Sequence, residues 1–255
     1  MNNQTDFGYE SVSYQDKQER VSAIFSKVAP YYDKMNDFLS LGLHRYWKNK
    51  FIESVKVAAG DIVLDLACGS GDIFLKLASK TEPSKIYAVD PNKEMLFVAQ
   101  MRTAKLQLYK KKPQIEINFL CAFGENLTLI PDNSISVLTL SFGFRNVADR
   151  MQCLREIYRV LKPEGHFYLL EFAKVQPPFD QAYNFYRDHC LPVIGKFLFN
   201  DTSSYQYLAD SIAVFWDQDK CIRALQEVGF VDIVSQNYTN GIVCCYQGKA
   251  DKSSL

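Results

Sequence analysis

The 255-residue chain balances 29 acidic against 29 basic residues and is 47% hydrophobic, enough to fill the core of one large α/β domain with attachments. Without net charge there is little field to draw the chain onto phosphates, which argues against nucleic acid as a partner. No apolar stretch approaches the roughly 20 residues that span a bilayer, so a membrane would be met only from the side.

The first ten residues lack the positive start and apolar core of a secretory signal and the Arg-rich pattern of a transit peptide, so no targeting is visible. Cysteines at 68, 121, 153, 190, 221, 244 and 245 show neither metal-knuckle spacing nor a disulfide framework. They read as reduced thiols of a cytoplasmic protein, with no metal site. Residues 1–58 read as an N-terminal helical cap: from residue 15 onward they hold two or three helices rich in aromatics, including Phe25, Tyr31, Tyr32, Phe38, Tyr46 and Trp47.

Residues 59–172 form the predicted Rossmann-like core. The runs Ile62–Ala67, Ile86–Val89, Ile115–Leu120, Ile135–Leu140 and Phe167–Phe172 are too apolar for one-sided exposure and read as buried strands. Between them Ile73–Ser79, Lys93–Leu108 and Arg150–Leu161 carry helical periodicity, with Pro91 and Asp149 near helix starts and Lys162-Pro163 closing the third. The basic run Lys110–Lys112 reads as a solvated connection. Residues 173–216 break the pattern with Pro177-Pro178, Pro192 and Gly195 among many aromatics, as an inserted helical lid would. Residues 217–255 return to the core with a helix, Asp217–Val228, stopped by Gly229, and a strand pair, Phe230–Gln236 and Gly241–Tyr246. The alternation predicts an α/β fold: a mostly parallel seven-stranded sheet with helices on both faces.

The first strand runs through Asp65 into Cys68-Gly69-Ser70-Gly71-Asp72 just ahead of a helix. Ligands of such folds bind at that turn. Glycine lets the backbone turn tightly and approach a ligand, and helix N-terminal amides face an anion; a methionine carboxylate suits the position. Asp90 ends the second strand, 19 residues beyond Gly71, where a carboxylate can accept both ribose hydroxyls of a nucleoside. A lone Gly-x-Gly would mean only a loop; the acid at that distance changes the reading. A dinucleotide oxidoreductase would need a third glycine where Phe74 stands, and Asp72 would repel a pyrophosphate. An S-adenosylmethionine-dependent methyltransferase is preferred, with Asp65 serving the ligand or ordering the loop rather than capping the strand.

Three separated motifs extend the reading. They are Phe25–Asp37 with Gly42–Lys48, then Ser141-Phe142-Gly143-Phe144-Arg145-Asn146-Val147-Ala148-Asp149, then Leu191–Gly195 with Asn200-Asp201, Ser204–Leu208 and Asp217-Gln218. Together they resemble the ubiquinone/menaquinone biosynthesis C-methyltransferase family over nearly the whole chain. The resemblance implies a class I methyltransferase fold, S-adenosylmethionine as cofactor, and methyl transfer to a ring carbon of a polyprenylated benzoquinol or naphthoquinol. It places Ser70 at a cofactor contact, Asp90 at the ribose, Phe123-Gly124 at the adenine edge and Ser141 at the end of the fourth strand. With Asp65, Gly69 and Gly71 these are the expected cofactor residues. Where this chain has Phe123 the family more often has a small polar or acidic residue, leaving adenine recognition to Glu125, to backbone groups or to packing of the Phe123 ring.

Carbon methylation needs a nucleophilic ring carbon, which the ring offers when its adjacent hydroxyl is deprotonated or strongly hydrogen-bonded. Arg145 is expected to stabilise the phenolate and Asn146 to orient the same oxygen. The bland alternative is an Arg145 ion pair with a neighbouring acid and Asn146 as a helix cap. His44, Tyr32, Asp33, Asp201 and Tyr205 are unranked candidates for proton acceptor, while His166 and His189 read as ordinary histidines. The aromatic lid suits a ring and isoprenoid tail, unless it is plain core packing. A lipid-soluble substrate predicts weak contact with a membrane face; a quinone-biosynthesis complex or a homodimer stays open. Competing readings are a small-molecule O- or N-methyltransferase and a non-catalytic subunit of such a complex, which cofactor binding and turnover would separate.

Overall fold

A computed structural model describes residues 3–199 and 201–252. The chain opens with a hairpin, β1 (Gln4–Phe7) and β2 (Glu10–Ser13), whose last residue caps helix α1 (Tyr14–Val28) by accepting from the Asp16 amide. Helices α2 (Tyr32–Leu39) and α3 (Leu43–Ser54) complete this segment. The core then alternates β3 (Ile62–Leu66), α4 (Asp72–Lys80), β4 (Lys85–Val89), α5 (Lys93–Lys105), the short α6 (Leu108–Lys111), β5 (Glu116–Leu120), β6 (Ile135–Ser141), α7 (Arg150–Val160) and β7 (Leu161–Phe172). A helical stretch follows, α8 (Asp180–Phe185), α9 (Leu191–Phe199) and α10 (Thr202–Val214), and the chain closes with α11 (Gln218–Val228), β8 (Phe230–Tyr238) and β9 (Val243–Ala250).

The main sheet has seven strands in the order β5-β4-β3-β6-β7-β9-β8, and β9 alone runs against the rest. Strand order reverses between β3 and β6, so a crevice opens at their carboxyl ends, where open α/β sheets take ligands. Both faces are covered. On one, α7 and α11 bury Leu154, Ile157 and Leu225 against Leu64, Leu138 and Leu140; on the other, α3, α4 and α5 bury Phe51, Phe74, Leu77 and Ala99 against Val63, Ile86 and Val137. A third cluster joins α1, α2 and α5 to the late helices through Val28, Met35, Leu39, Met95, Leu191 and Tyr205.

Local chemistry sets the helix ends. Asn92, Asp149 and Asp217 each accept an amide three residues on, and Gly229, at φ 112°, closes α11. Two differences from the sequence reading have physical causes. The helix expected over Lys93–Leu108 breaks at Gln107, which takes a left-handed φ of 52°. Residues 4–13, given no element in that reading, pair as β1 and β2 because Gly8, at φ 59°, turns the chain.

Helix α9 lies on α10 so closely that a Cβ at Gly195 would stand 2.2 Å from the Tyr205 ring. Gly195→Ala is therefore expected to destabilise the fold by about 1–3 kcal/mol, read as a lower urea midpoint; an unchanged midpoint would mean that the two helices do not pack as described.

Candidate active site

The ends of β3 and β6 make the floor of the site. Ala67 and Phe142, each the first residue past a strand, hold left-handed φ values of 52° and 56°, an uncommon conformation for residues with side chains and one that concentrates at functional sites. The two turns touch: a Cβ on Gly143 would lie 2.5 Å from that of Ala67. Only glycine permits this approach, and it brings the glycine loop and the Arg145 loop to one cleft.

That cleft is lined by Gly69, Asp90, Phe123, Gly124, Ser141 and Asn146, among others, and is roofed by α1 through Gln18, Val21, Ser22 and Phe25. The Asp90 carboxylate accepts from the Gly69 amide at 2.8 Å and the Asn92 amide at 2.9 Å, so it ties the glycine loop to the end of β4. Each oxygen keeps capacity for a further donor. Burial raises its pKa to about 6 against the pull of those two amides. Asp65 accepts from Thr139 Oγ1 (2.8 Å) and the Phe74 amide (3.1 Å), pinning the start of α4 to β6; burial raises it to about 7. Ser141 Oγ is buried in the cleft wall without a hydrogen-bond partner, an unmet need that a ligand could fill. Phe123 lines the rim, 38% exposed. Glu125 spends one carboxylate oxygen on the Ala148 and Asp149 amides, holding the loop ahead of α7.

Beside the glycine loop stands a cation pair that sequence reasoning missed. Arg102 Nη1 donates to the Ser70 carbonyl and hydroxyl at 3.0 and 2.8 Å, and its Nη2 reaches Asp72 at 2.7 Å; Lys48 Nζ reaches the other Asp72 oxygen at 2.7 Å. Burial of Asp72 works to raise its pKa, but the two cations outweigh it and hold the carboxyl well below the usual range. Asp72 is thereby neutralised, and the repulsion it was expected to exert on an anion at this helix start is offset. Lys48 stands inside the opening motif, which was its one signal; Arg102 carries none, because its partners lie 30 and 32 residues away.

Past Phe142 lies a larger cavity of about 250 Å³ lined by Leu39, Leu41, Leu43, Trp47, Phe172, Tyr183, Leu191 and Ile242, with Arg145 and His44 among its few charged or ionisable groups. Tyr32 borders both this chamber and the Asp90 cleft. Buried Arg145 donates from Nη1 to Glu171 Oε1 (2.9 Å) and to the Phe142 carbonyl (2.7 Å), its ring partner is Phe172 at 5.1 Å, and Nε has no partner. The ion pair weighed as an alternative thus exists together with a place at the chamber wall. Asn146 does not cap α7, which Asp149 does; its Oδ1 accepts from the Tyr207 hydroxyl at 2.9 Å. His44 Nδ1 is 2.8 Å from Ser40 Oγ and Nε2 is 3.7 Å from Asp37; burial, then neighbouring Lys48, lowers its pKa, so it is neutral near pH 7.

Tyr205 borders a small cavity shared with Tyr32, Arg145 and Asn146. Asp201 borders none of these cavities. It caps α10, accepting from the Ser204 amide and hydroxyl, and pairs with Lys27 at 3.0 Å. Burial opposes ionisation there, yet these partners lower it to about 2; a carboxylate so occupied is no proton acceptor, and it is corrected to a helix cap. The Asp33 side chain and Asn200 lie outside the described residues.

A profile of the ubiE/COQ5 methyltransferase family matches residues 13–250. The ubiquinone/menaquinone biosynthesis C-methyltransferase UbiE of Rickettsia akari is 41% identical over 251 residues, 96% of this chain and 98% of that relative. The protein of the same description from Pseudoalteromonas translucida is 40% identical over 246 residues, 96% of each. Solved structures share the fold at low identity. They include a SAM-dependent methyltransferase from Aquifex aeolicus (TM-score 0.55, 17% identity, 80% of this chain and 89% of that one) and the [4+2]-cyclase SpnF (TM-score 0.65, 13% identity, 92% and 97%).

If Asp90 receives ribose hydroxyls, Asp90→Ala should weaken S-adenosylhomocysteine binding by about tenfold or more. Because the carboxylate is the accepting form, wild-type affinity should also fall as pH drops through about 6, a dependence Asp90→Ala should lack. Titration calorimetry at pH 5 to 8 reads both, and pH-independent wild-type affinity would remove the assignment.

Proposed function

The chain belongs to the ubiE/COQ5 methyltransferase family, and from that premise we propose how this S-adenosylmethionine-dependent C-methyltransferase of ubiquinone/menaquinone biosynthesis methylates a polyprenylated quinol. The observation that carries the reading is the pairing of two cavities across Tyr32 and Phe142: a polar-floored cleft with Asp90, and an apolar chamber with one guanidinium on its wall.

The cleft fits the cofactor. Asp90 would take the ribose hydroxyls, Ser141 Oγ would meet a polar group now wanting, and Gly124 with the Phe123 ring would border the adenine. Bound there, S-adenosylmethionine supplies an electrophilic methyl group. The chain's own residues prepare the other reactant. Arg145 is fixed by Glu171 with Nε left over, so a hydroxyl oxygen reaching it loses its proton more readily and its negative charge is stabilised. Asn146, with Oδ1 engaged by Tyr207, has its amide hydrogens for the same oxygen. Neutral His44, which lines the same chamber, would be the proton acceptor. Its basic form prevails at pH 7, and Asp37 stands by to steady the imidazolium. The apolar walls exclude water and receive the ring and the start of the tail.

The chamber reaches the surface at the turn between α2 and α3, where Leu41 is 86% exposed. Phe38 and Tyr46 on those helices are exposed, as are Phe185 and Phe197 on the segment that also supplies Tyr183, Tyr186 and Leu191 to the chamber. This apolar rim supports an exit for the isoprenoid tail and contact with a membrane face there; no helix among the described residues is long and apolar enough to cross one.

With a short-tailed demethylated quinol under reducing conditions, Arg145→Lys should lower kcat by roughly a hundredfold or more while S-adenosylhomocysteine affinity stays within about threefold. Equal loss of both would make Arg145 a structural residue. Because a lowered histidine pKa is lost as a base only in acid, kcat should fall on an acid limb below the ordinary histidine value of 6.5. That limb should vanish in His44→Gln; its persistence would move the base elsewhere.

A further inference from the structure

We infer that the amino-terminal hairpin is a positioning element of the active site, with Asp6 setting the place of Arg145 and Phe7 that of Asn146. The inference rests on the catalytic reading of that pair, and neither Asp6 nor Phe7 borders the cavities described above.

Two adjacent residues of β1 reach the two adjacent residues of the loop after β6. Asp6 accepts from Lys17 Nζ at 2.6 Å and, bidentately, from Arg150 Nη1 and Nη2 at 2.8 and 2.9 Å. The same two cations also donate to the Arg145 carbonyl, Lys17 at 3.2 Å and Arg150 at 2.7 Å. Arg145 is therefore held twice: by Glu171 on its guanidinium and by the Asp6 network on its backbone. Lys17 is 1% exposed and Arg150 6%. Without Asp6 they would be two buried cations sharing one carbonyl, and like charges so placed drive each other apart.

The second arm is apolar. Phe7 stacks on Tyr207 with ring centroids 4.4 Å apart, and the Tyr207 hydroxyl is the donor to Asn146 Oδ1. The turn between the strands lies against α10, where a Cβ on Gly8 would come within 2.8 Å of the Asp210 Cβ. The hairpin thus fixes the tyrosine that orients Asn146 and, one residue earlier, the cations that hold Arg145. A salt link made only for stability would not need to end on that particular carbonyl. Displacement of a reacting group by about 1 Å can cost up to two orders of magnitude in rate, so weak changes in this support are amplified in turnover.

The test compares full-length Asp6→Asn, Asp6→Glu, Phe7→Leu and Arg145→Lys at a temperature where circular dichroism shows each fully folded. Asp6→Asn and Phe7→Leu should each lower kcat for the short-tailed quinol by about tenfold or more, with S-adenosylhomocysteine affinity within about threefold and partial recovery in Asp6→Glu. Wild-type kcat in both variants, beside a disabled Arg145→Lys, would reduce the hairpin to a stabilising strap and overturn the inference. An active Arg145→Lys would overturn the catalytic reading beneath it, and the inference with it. Should Asp6→Asn not fold, Phe7→Leu, which moves no charge and keeps apolar bulk, decides by the same criteria.

Discussion

The buried ion pair between Arg145 and Glu171 is the constraint from which the site's geometry follows. Glu171 is wholly buried at the end of β7, and taking both charges from water costs several kcal/mol per ion unless their hydrogen-bonding capacity is used. It is used: one Glu171 oxygen takes Arg145 Nη1 and the Phe172 amide, the other the Arg145 amide. Satisfying the acid forces the loop after β6 to fold back over the end of β7. That fold carries Asn146 into the cleft and the guanidinium into the chamber wall.

The acids around the glycine loop show how position, not residue type, sets protonation. Asp65 and Asp90 stand raised chiefly by burial with only neutral hydrogen-bond partners, whereas Asp72, also buried, is pulled the other way by Lys48 and Arg102. Between the ordinary value of 3.8 and their raised values of about 7 and about 6, Asp65 and Asp90 bind protons more tightly folded than unfolded. Their contribution to stability therefore diminishes as pH rises through that window. Holding two such carboxylates at neutral pH is the cost of placing acceptors at the mouth of a buried strand.

Much of this architecture was legible in the chain. The parallel strands announced themselves as short apolar runs because both faces are covered, and the helix starts at Asp149 and Asp217 were visible beside periodic segments. What escaped was set by distance. The strands of the hairpin have four residues each, mostly polar, and gain their order from Asp6 meeting cations 11 and 144 positions away. Glu171 could have been found: an acid inside the apolar run Leu169-Leu170-Glu171-Phe172 is the same signal that singled out Asp65. Asp201, followed by Thr202, Ser203 and Ser204, carried the composition of a helix start and was better read as one.

Tyr32 belongs to the walls of both main cavities, which gives their two occupants a side chain through which their free energies can be coupled. If the half-buried ring, which packs against Phe25, is ordered only when one cavity fills, that ordering carries an entropy cost. Whichever ligand arrives first bears that entropy; the second meets a ring already in place. By linkage the advantage is mutual and equal in size, so each ligand tightens the other without touching it. On that condition a ternary complex accumulates at the expense of either binary one, through one shared side chain.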